Sequence, residues 1–130
     1  RGITYKQREK AILKDYILLF NKKASGVYGA TYANIQAKKG SEVEGILYLI
    51  DERGLVILDK FEGAPLHYKR EKIQVITTNN EITEAIVYIA NEEYIGEGQP
   101  TTEYLNHLLA GRDLLSEDYF RKLESIETID

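Results

Sequence analysis

The chain has 130 residues, 43% hydrophobic and 29% charged, with a formal net charge of -4 and no cysteine. This is the composition of one globular domain with a core of its own, and it excludes disulfides, thiolate nucleophiles and thiolate metal sites. The charges are interspersed and leave no basic face for nucleic acid, and no apolar run approaches the roughly 20 residues of a membrane-spanning helix. Cysteine-free usage without a signal-like opening favours a cytoplasmic setting. A chain that opens Arg1-Gly2-Ile3 and contains no methionine is expected to lack a segment before Arg1.

Asp15 to Asn21 is an aromatic and aliphatic run of strand length, ended by Lys22-Lys23. A second strand is expected from Val27 to Ile35, with Val27, Gly29, Thr31, Ala33 and Ile35 on one face. The pairs Lys22-Lys23 and Lys38-Lys39 sit where turns are expected and read as solvated loops. Glu42 to Ile50 then reads as a central strand, apolar on both faces after Gly45. Asp51 can cap a short helix whose Leu55, Leu58, Asp59 and Glu62 share a face, although the β-branched Val56 and Ile57 oppose it. Gly63-Ala64-Pro65 breaks that helix.

A strand from His67 to Thr78 turns at Asn79-Asn80 and returns as Glu81 to Ala90, with Ile82, Ala85, Val87 and Ile89 inward and Tyr88 facing the other way. Asn91 to Gln99 is a loop. Thr101 caps a helix with Tyr104, Leu105, Leu108 and Leu109 as its apolar stripe, and Ser116 caps a last one in which Tyr119, Phe120 and Leu123 face inward. Strands followed by helices make an α+β fold, a curved or closed mixed sheet with helices against it.

Most kinds of chemistry find no support. His67 and His107 are the only histidines, forty residues apart, and no His-Glu-x-x-His or calcium-loop pattern is present, so a metal is not expected. Gly26-Val27-Tyr28-Gly29 lacks the lysine and the strand–glycine–helix order of a phosphate loop. Ser25, Ser41, Ser116 and Ser125 lie in turn or cap contexts, and His67 reads as an ordinary residue near a strand start. What is left is Glu62, in Leu58-Asp59-Lys60-Phe61-Glu62-Gly63, a carboxylate at a helix end inside an apolar run. A sheltered glutamate has its pKa raised toward the range useful for proton transfer. Ten tyrosines accompany it. They either fill a core, one that a second copy in a homo-oligomer could share, or line a hydroxyl-rich cavity around Glu62.

These residues resemble the γ-glutamylcyclotransferase-like family, in the branch of small γ-glutamylamine cyclotransferases and plant avirulence-induced proteins. The resemblance begins at Asp15-Tyr16 and Phe20-Asn21 and runs through Gly40-Ser41-Glu42-Val43-Glu44-Gly45-Ile46-Leu47-Tyr48. It is most specific at Leu58 to Gly63 followed by Tyr68, and it continues through Ala85-Ile86-Val87-Tyr88 and Pro100 to Tyr104. It implies a small mixed β-barrel flanked by helices. It also implies Glu62 as catalytic acid/base and Tyr68, Tyr88 and Tyr104 as pocket residues. The implied reaction is cyclisation of a γ-glutamyl amide to 5-oxoproline, with release of an amine and without a cofactor. The family's Tyr-Gly-Ser-Asn loop, whose amides hold the substrate's α-carboxylate, has no counterpart in this sequence. It is expected to precede Arg1 or to be missing from the protein. A non-catalytic binding module with the same pocket, and a hydrolase releasing glutamate, are the alternatives.

Overall fold

Two strands far longer than the sequence pattern suggests carry the fold. A computed structural model describes residues 7–24 and 28–130. Its elements are β1 (Gln7–Lys23), β2 (Thr31–Leu49), α1 (Glu52–Glu62), β3 (Tyr68–Thr77), β4 (Ile82–Ala90), α2 (Thr102–Leu109) and α3 (Glu117–Glu124). Short 3-10 turns occupy Glu92–Tyr94 and Arg112–Leu114. The strands form an antiparallel sheet in the order β2-β1-β3-β4. This is the expected α+β class. The edges β2 and β4 curl toward each other, and the buried Asn34 side chain joins them by accepting from Ala90 N at 2.8 Å. Among the described residues the parallel component is one bridge, Ala30 to Gln99.

The turn expected at Lys38-Lys39-Gly40-Ser41 is instead an irregularity inside β2. Gly40 has φ 86° and Asp15, across from it in β1, has φ 63°. The Asp15 carboxylate accepts from Gly40 N at 3.0 Å, so both strands kink together without ending. The register shift between Lys14 and Tyr16 also swaps faces. Ala11 and Leu13 point into the core before it, Tyr16 and Leu18 after it. A single alternation therefore cannot run the length of β1, and its charged start, Gln7 to Lys10, pairs with Leu49 to Ile46. The start expected at Val27 lies outside the described residues, as do Ser25 and Gly26.

The core joins Ala11, Leu13, Ile35 and Val75, with Val43, Leu47, Ile73, Ala85, Val87 and Ile89 packed around them. Two expectations fail here. The Glu42 to Ile50 segment belongs to an edge strand, not a central one, and leaves Tyr48 46% exposed. Ile82, at the start of β4, is 70% exposed instead of inward. The helix caps hold as expected. Asp51, Thr101 and Ser116 accept from Gly54 N, Tyr104 N and Tyr119 N respectively. Val56 and Ile57 are tolerated in α1 because they lie on its solvent side.

Candidate functional site

Glu62 is fixed by the way α1 ends. Gly63 adopts the left-handed conformation at φ 65°, ψ 34°. Its N–H donates to Lys60 O at 3.2 Å and Ala64 N to Asp59 O at 2.8 Å, the paired bonds of a Schellman stop. A β-carbon on Gly63 would come 2.8 Å from His67 Cδ2, so the glycine also lets His67 approach. Glu62, half-buried, is thus the last helical residue at a point where the backbone has no freedom.

It opens onto a cavity of about 670 Å³, lined among others by Lys22, Tyr32, His67, Tyr68 and Tyr104. That volume suits a small metabolite, since such sites commonly span roughly 300–1,000 Å³. Glu62, Tyr68 and Tyr104 therefore come together from three separate elements. Tyr88 does not line the cavity. It lies beyond α1, where its phenol donates to Asp59 Oδ1 at 2.6 Å, and Arg70 Nε holds the same oxygen at 3.2 Å. Burial first, and then the bond to Asp59, push the Tyr88 phenol well above its ordinary range.

The tyrosines combine the two readings open to them, with packed rings on the cavity and hydroxyls bonded to the backbone. Tyr68, only 6% exposed, donates its phenolic proton to Ala33 O at 2.8 Å. The Tyr104 hydroxyl accepts from Ala33 N at 3.2 Å. Both phenols thus bond the backbone of one residue, Ala33, of the edge strand β2, and both tyrosines line the cavity. Tyr32 packs on Tyr104 with centroids 5.0 Å apart.

Lys22 is the residue that sequence reasoning misplaced. Read as a solvated loop lysine, it is the next-to-last residue of β1 and only 3% exposed. A second register shift, between Leu19 and Lys22, accompanies its turn inward. Its Nζ lies 3.0 Å from Lys23 O and 2.9 Å from His67 Nδ1. The rings of Tyr94, Tyr68 and Tyr32 surround it, with centroids 5.0, 5.6 and 5.8 Å from Nζ. Burial lowers its pKa, and the negative charge of Glu62 opposes that shift. The sequence held one signal, an apolar run leading straight into Asn21-Lys22 without a glycine or proline. His67, expected to be ordinary, carries the other half of this contact and stacks on Tyr94 at 4.3 Å between centroids. No group of three or more His, Cys, Asp or Glu able to hold a metal occurs among the described residues. No helix among them is long and apolar enough to cross a membrane.

Comparison with known proteins agrees with this architecture. The model of the AIG2-like family matches residues 42–123. A curated protein of Methanocaldococcus jannaschii, named provisionally as a γ-glutamylcyclotransferase, is 34% identical over 68 residues, which is 48% of this chain and 57% of that protein. This chain thus spans a little over half the length of that relative. A solved structure titled γ-glutamyl cyclotransferase superposes with a TM-score of 0.84 at 23% identity, covering 94% of this chain and 75% of that one. YkqA from Bacillus subtilis gives 0.80 at 23% identity, covering 95% of this chain and 47% of its own. At these identities the two structures speak for the fold. The family match covers more than half of the chain, including α1, Glu62, Tyr68 and Tyr104. The chain therefore belongs to the AIG2-like family of γ-glutamylcyclotransferase-like proteins.

Proposed function

We propose that this protein cyclises a γ-glutamyl amide to 5-oxoproline and releases the amine, with Glu62 as general acid/base. The observation that carries the reading is the placement of Glu62: a carboxylate locked by a Schellman stop and lining a metabolite-sized cavity walled by Tyr68 and Tyr104. Family membership and the name of the M. jannaschii relative support it.

The chemistry needs a carboxylate that can carry protons from the attacking to the leaving nitrogen, and a folded substrate. The α-ammonium of the glutamyl group is not nucleophilic until Glu62 takes a proton from it. The freed nitrogen attacks the γ-carbonyl carbon, a C–N bond closes the five-membered ring, and the carbonyl oxygen becomes an oxyanion. As that intermediate collapses, Glu62 returns the proton to the leaving nitrogen and the bond to it breaks. The ring nitrogen then gives up its second proton, by way of Glu62, to the departing amine, so that a neutral lactam and an ammonium ion are released. No water is consumed. The cavity's share is orientation: a flexible glutamyl chain must be bent until amine and carbonyl meet, an effect worth up to about 7–11 kcal/mol in well-oriented intramolecular reactions.

Incubating the full-length protein with γ-glutamyl amines and γ-glutamyl amino acids, and measuring 5-oxoproline by mass spectrometry, tests the reading. Glu62→Gln keeps the shape and removes the base. Its expected result is near-complete loss of 5-oxoproline with an unchanged melting temperature. A variant that retains most of the activity overturns the assignment, and glutamate as the product would make the enzyme a hydrolase.

A further inference from the structure

We infer that Lys22 is the carboxylate-binding group of this cavity, seating an anionic end of an amino-acid-like substrate. The inference rests on the proposed function for its choice of substrate, and on the geometry of Lys22 for the anion. A lysine ammonium is strongly hydrated, and burying one costs several kcal/mol unless an anion or a full set of acceptors replaces the water. Lys22 is 3% exposed and, among the described residues, has neither. Its recorded acceptors are a carbonyl, Lys23 O, and a ring nitrogen, His67 Nδ1, both neutral when His67 carries its proton on Nε2. Among the described residues no third acceptor reaches Nζ, and no carboxylate lies within ion-pair distance of it. Three tyrosine rings offer their negative faces, a partial compensation worth a fraction of a contact ion pair.

A protein has little structural reason to keep such a residue, because methionine would fill the same volume without the desolvation cost. The cavity gives it a use. Lys22 and Glu62 line the same space and feel each other's charge. An α-amino acid carries a carboxylate and an ammonium on one carbon, so a fixed cation and a fixed anion in one cavity match that pair of charges. With its carboxylate on Lys22, a substrate would present its ammonium to the Glu62 side. Tyr94, from the segment between β4 and α2, covers the ammonium and stacks on His67, which keeps water from competing. A γ-glutamyl amino acid has two carboxylates, one on the glutamyl group and one on the leaving amino acid. The shared chemistry is the carboxylate, and the two sources are told apart by experiment.

The test uses the full chain, Lys22→Gln and Lys22→Arg, and two probes that need no turnover: 5-oxoproline and its neutral carboxamide. Binding is followed by amide chemical shifts. The wild-type protein is expected to prefer 5-oxoproline by at least about tenfold, the factor expected for a charge-assisted hydrogen bond. Lys22→Gln should erase the preference and Lys22→Arg should keep part of it. In turnover, Lys22→Gln should raise KM more than it lowers kcat. A rise for γ-glutamyl amines and γ-glutamyl amino acids alike places the glutamyl carboxylate on Lys22, and a rise for the amino acids only places the leaving group's there. Lys22-dependent binding of 5-oxoproline in a protein that makes none of it would support this inference while overturning the proposed function. A wild-type protein without preference for the charged probe, or an unchanged preference in Lys22→Gln, overturns the inference itself.

Discussion

The phenol of Tyr88 donates to Oδ1 of Asp59 at 2.6 Å, so β4 grips α1 three residues before Glu62. Arg70 of β3 reaches the same carboxylate, and together they brace the helix end that presents Glu62. Tyr88→Phe removes one hydrogen bond to a charged acceptor and leaves the ring in place. The expected cost is about 1–2 kcal/mol, read as a melting temperature lower by about 3–8 °C. If Glu62 acts as proposed, kcat for 5-oxoproline formation should fall severalfold while KM changes less, because Tyr88 does not line the cavity. An unchanged melting temperature would show that the bond does not brace α1.

The same bond sets an alkaline limit on stability. In the folded protein burial and Asp59 hold the Tyr88 proton above the unfolded phenol's pKa of about 10. Below pH 10 both states keep the proton, so the contribution is fully present. As pH rises past 10 the unfolded chain ionises first and the contribution shrinks. The stability difference between wild type and Tyr88→Phe should therefore be flat from pH 7 to about 10 and fall above it. Urea denaturation at a series of pH values gives this curve, and a difference that stays flat to pH 11 contradicts it.

Local chemistry was legible in the sequence and non-local chemistry was not. Asp51, Thr101 and Ser116 could be read as caps because a cap is decided within three residues, and each accepts the N–H it was expected to accept. The Asn79-Asn80 turn was equally local, with Asn80 at φ 59°. Gly40 misled because its positive φ signals a turn, and only the partner strand, with Asp15 strained opposite it, makes the segment a kinked continuous strand. Lys22 was illegible for a similar reason. Its burial depends on a register shift against β2 and on Tyr94, seventy-two residues away. Glu62 stood out because its helix, its glycine stop and its apolar neighbours are contiguous in the chain.

Gly63 is expected to be intolerant of any side chain. Alanine at φ 65° costs about 1–2 kcal/mol in backbone strain, and its β-carbon would press on His67 Cδ2. Gly63→Ala should unfold at lower denaturant concentration and should shift the His67 ring resonances, since the ring must move away from the new β-carbon. Wild-type His67 shifts in a destabilised variant would mean that the strain is absorbed by the helix end instead.

Glu44 links the edge strand to the last helix, and its ionisation should govern acid stability. Its carboxylate accepts from Ser116 N at 2.8 Å and Ser116 Oγ at 2.6 Å, with Lys10 Nζ at 3.2 Å. Burial by itself would raise the pKa of this group, but the bonds from Ser116 and the charge of Lys10 outweigh it and hold the carboxyl below its ordinary range. A lowered folded pKa contributes stability above the unfolded value and loses it as pH falls through the folded one. Glu44→Gln, which keeps the shape without the charge, should therefore cost about 1–3 kcal/mol at pH 7 and progressively less below about pH 4. Ser116 also caps α3 through Tyr119 N, so Ser116→Ala should cost more than Glu44→Gln alone. The two residues share a bonded network, so their effects should fall short of additivity in the double variant, by a coupling of about 0.5–3 kcal/mol. Denaturant melts of the four proteins at pH 7 and pH 3 measure that coupling. If it is as large at pH 3 as at pH 7, the carboxylate charge is not what joins β2 to α3.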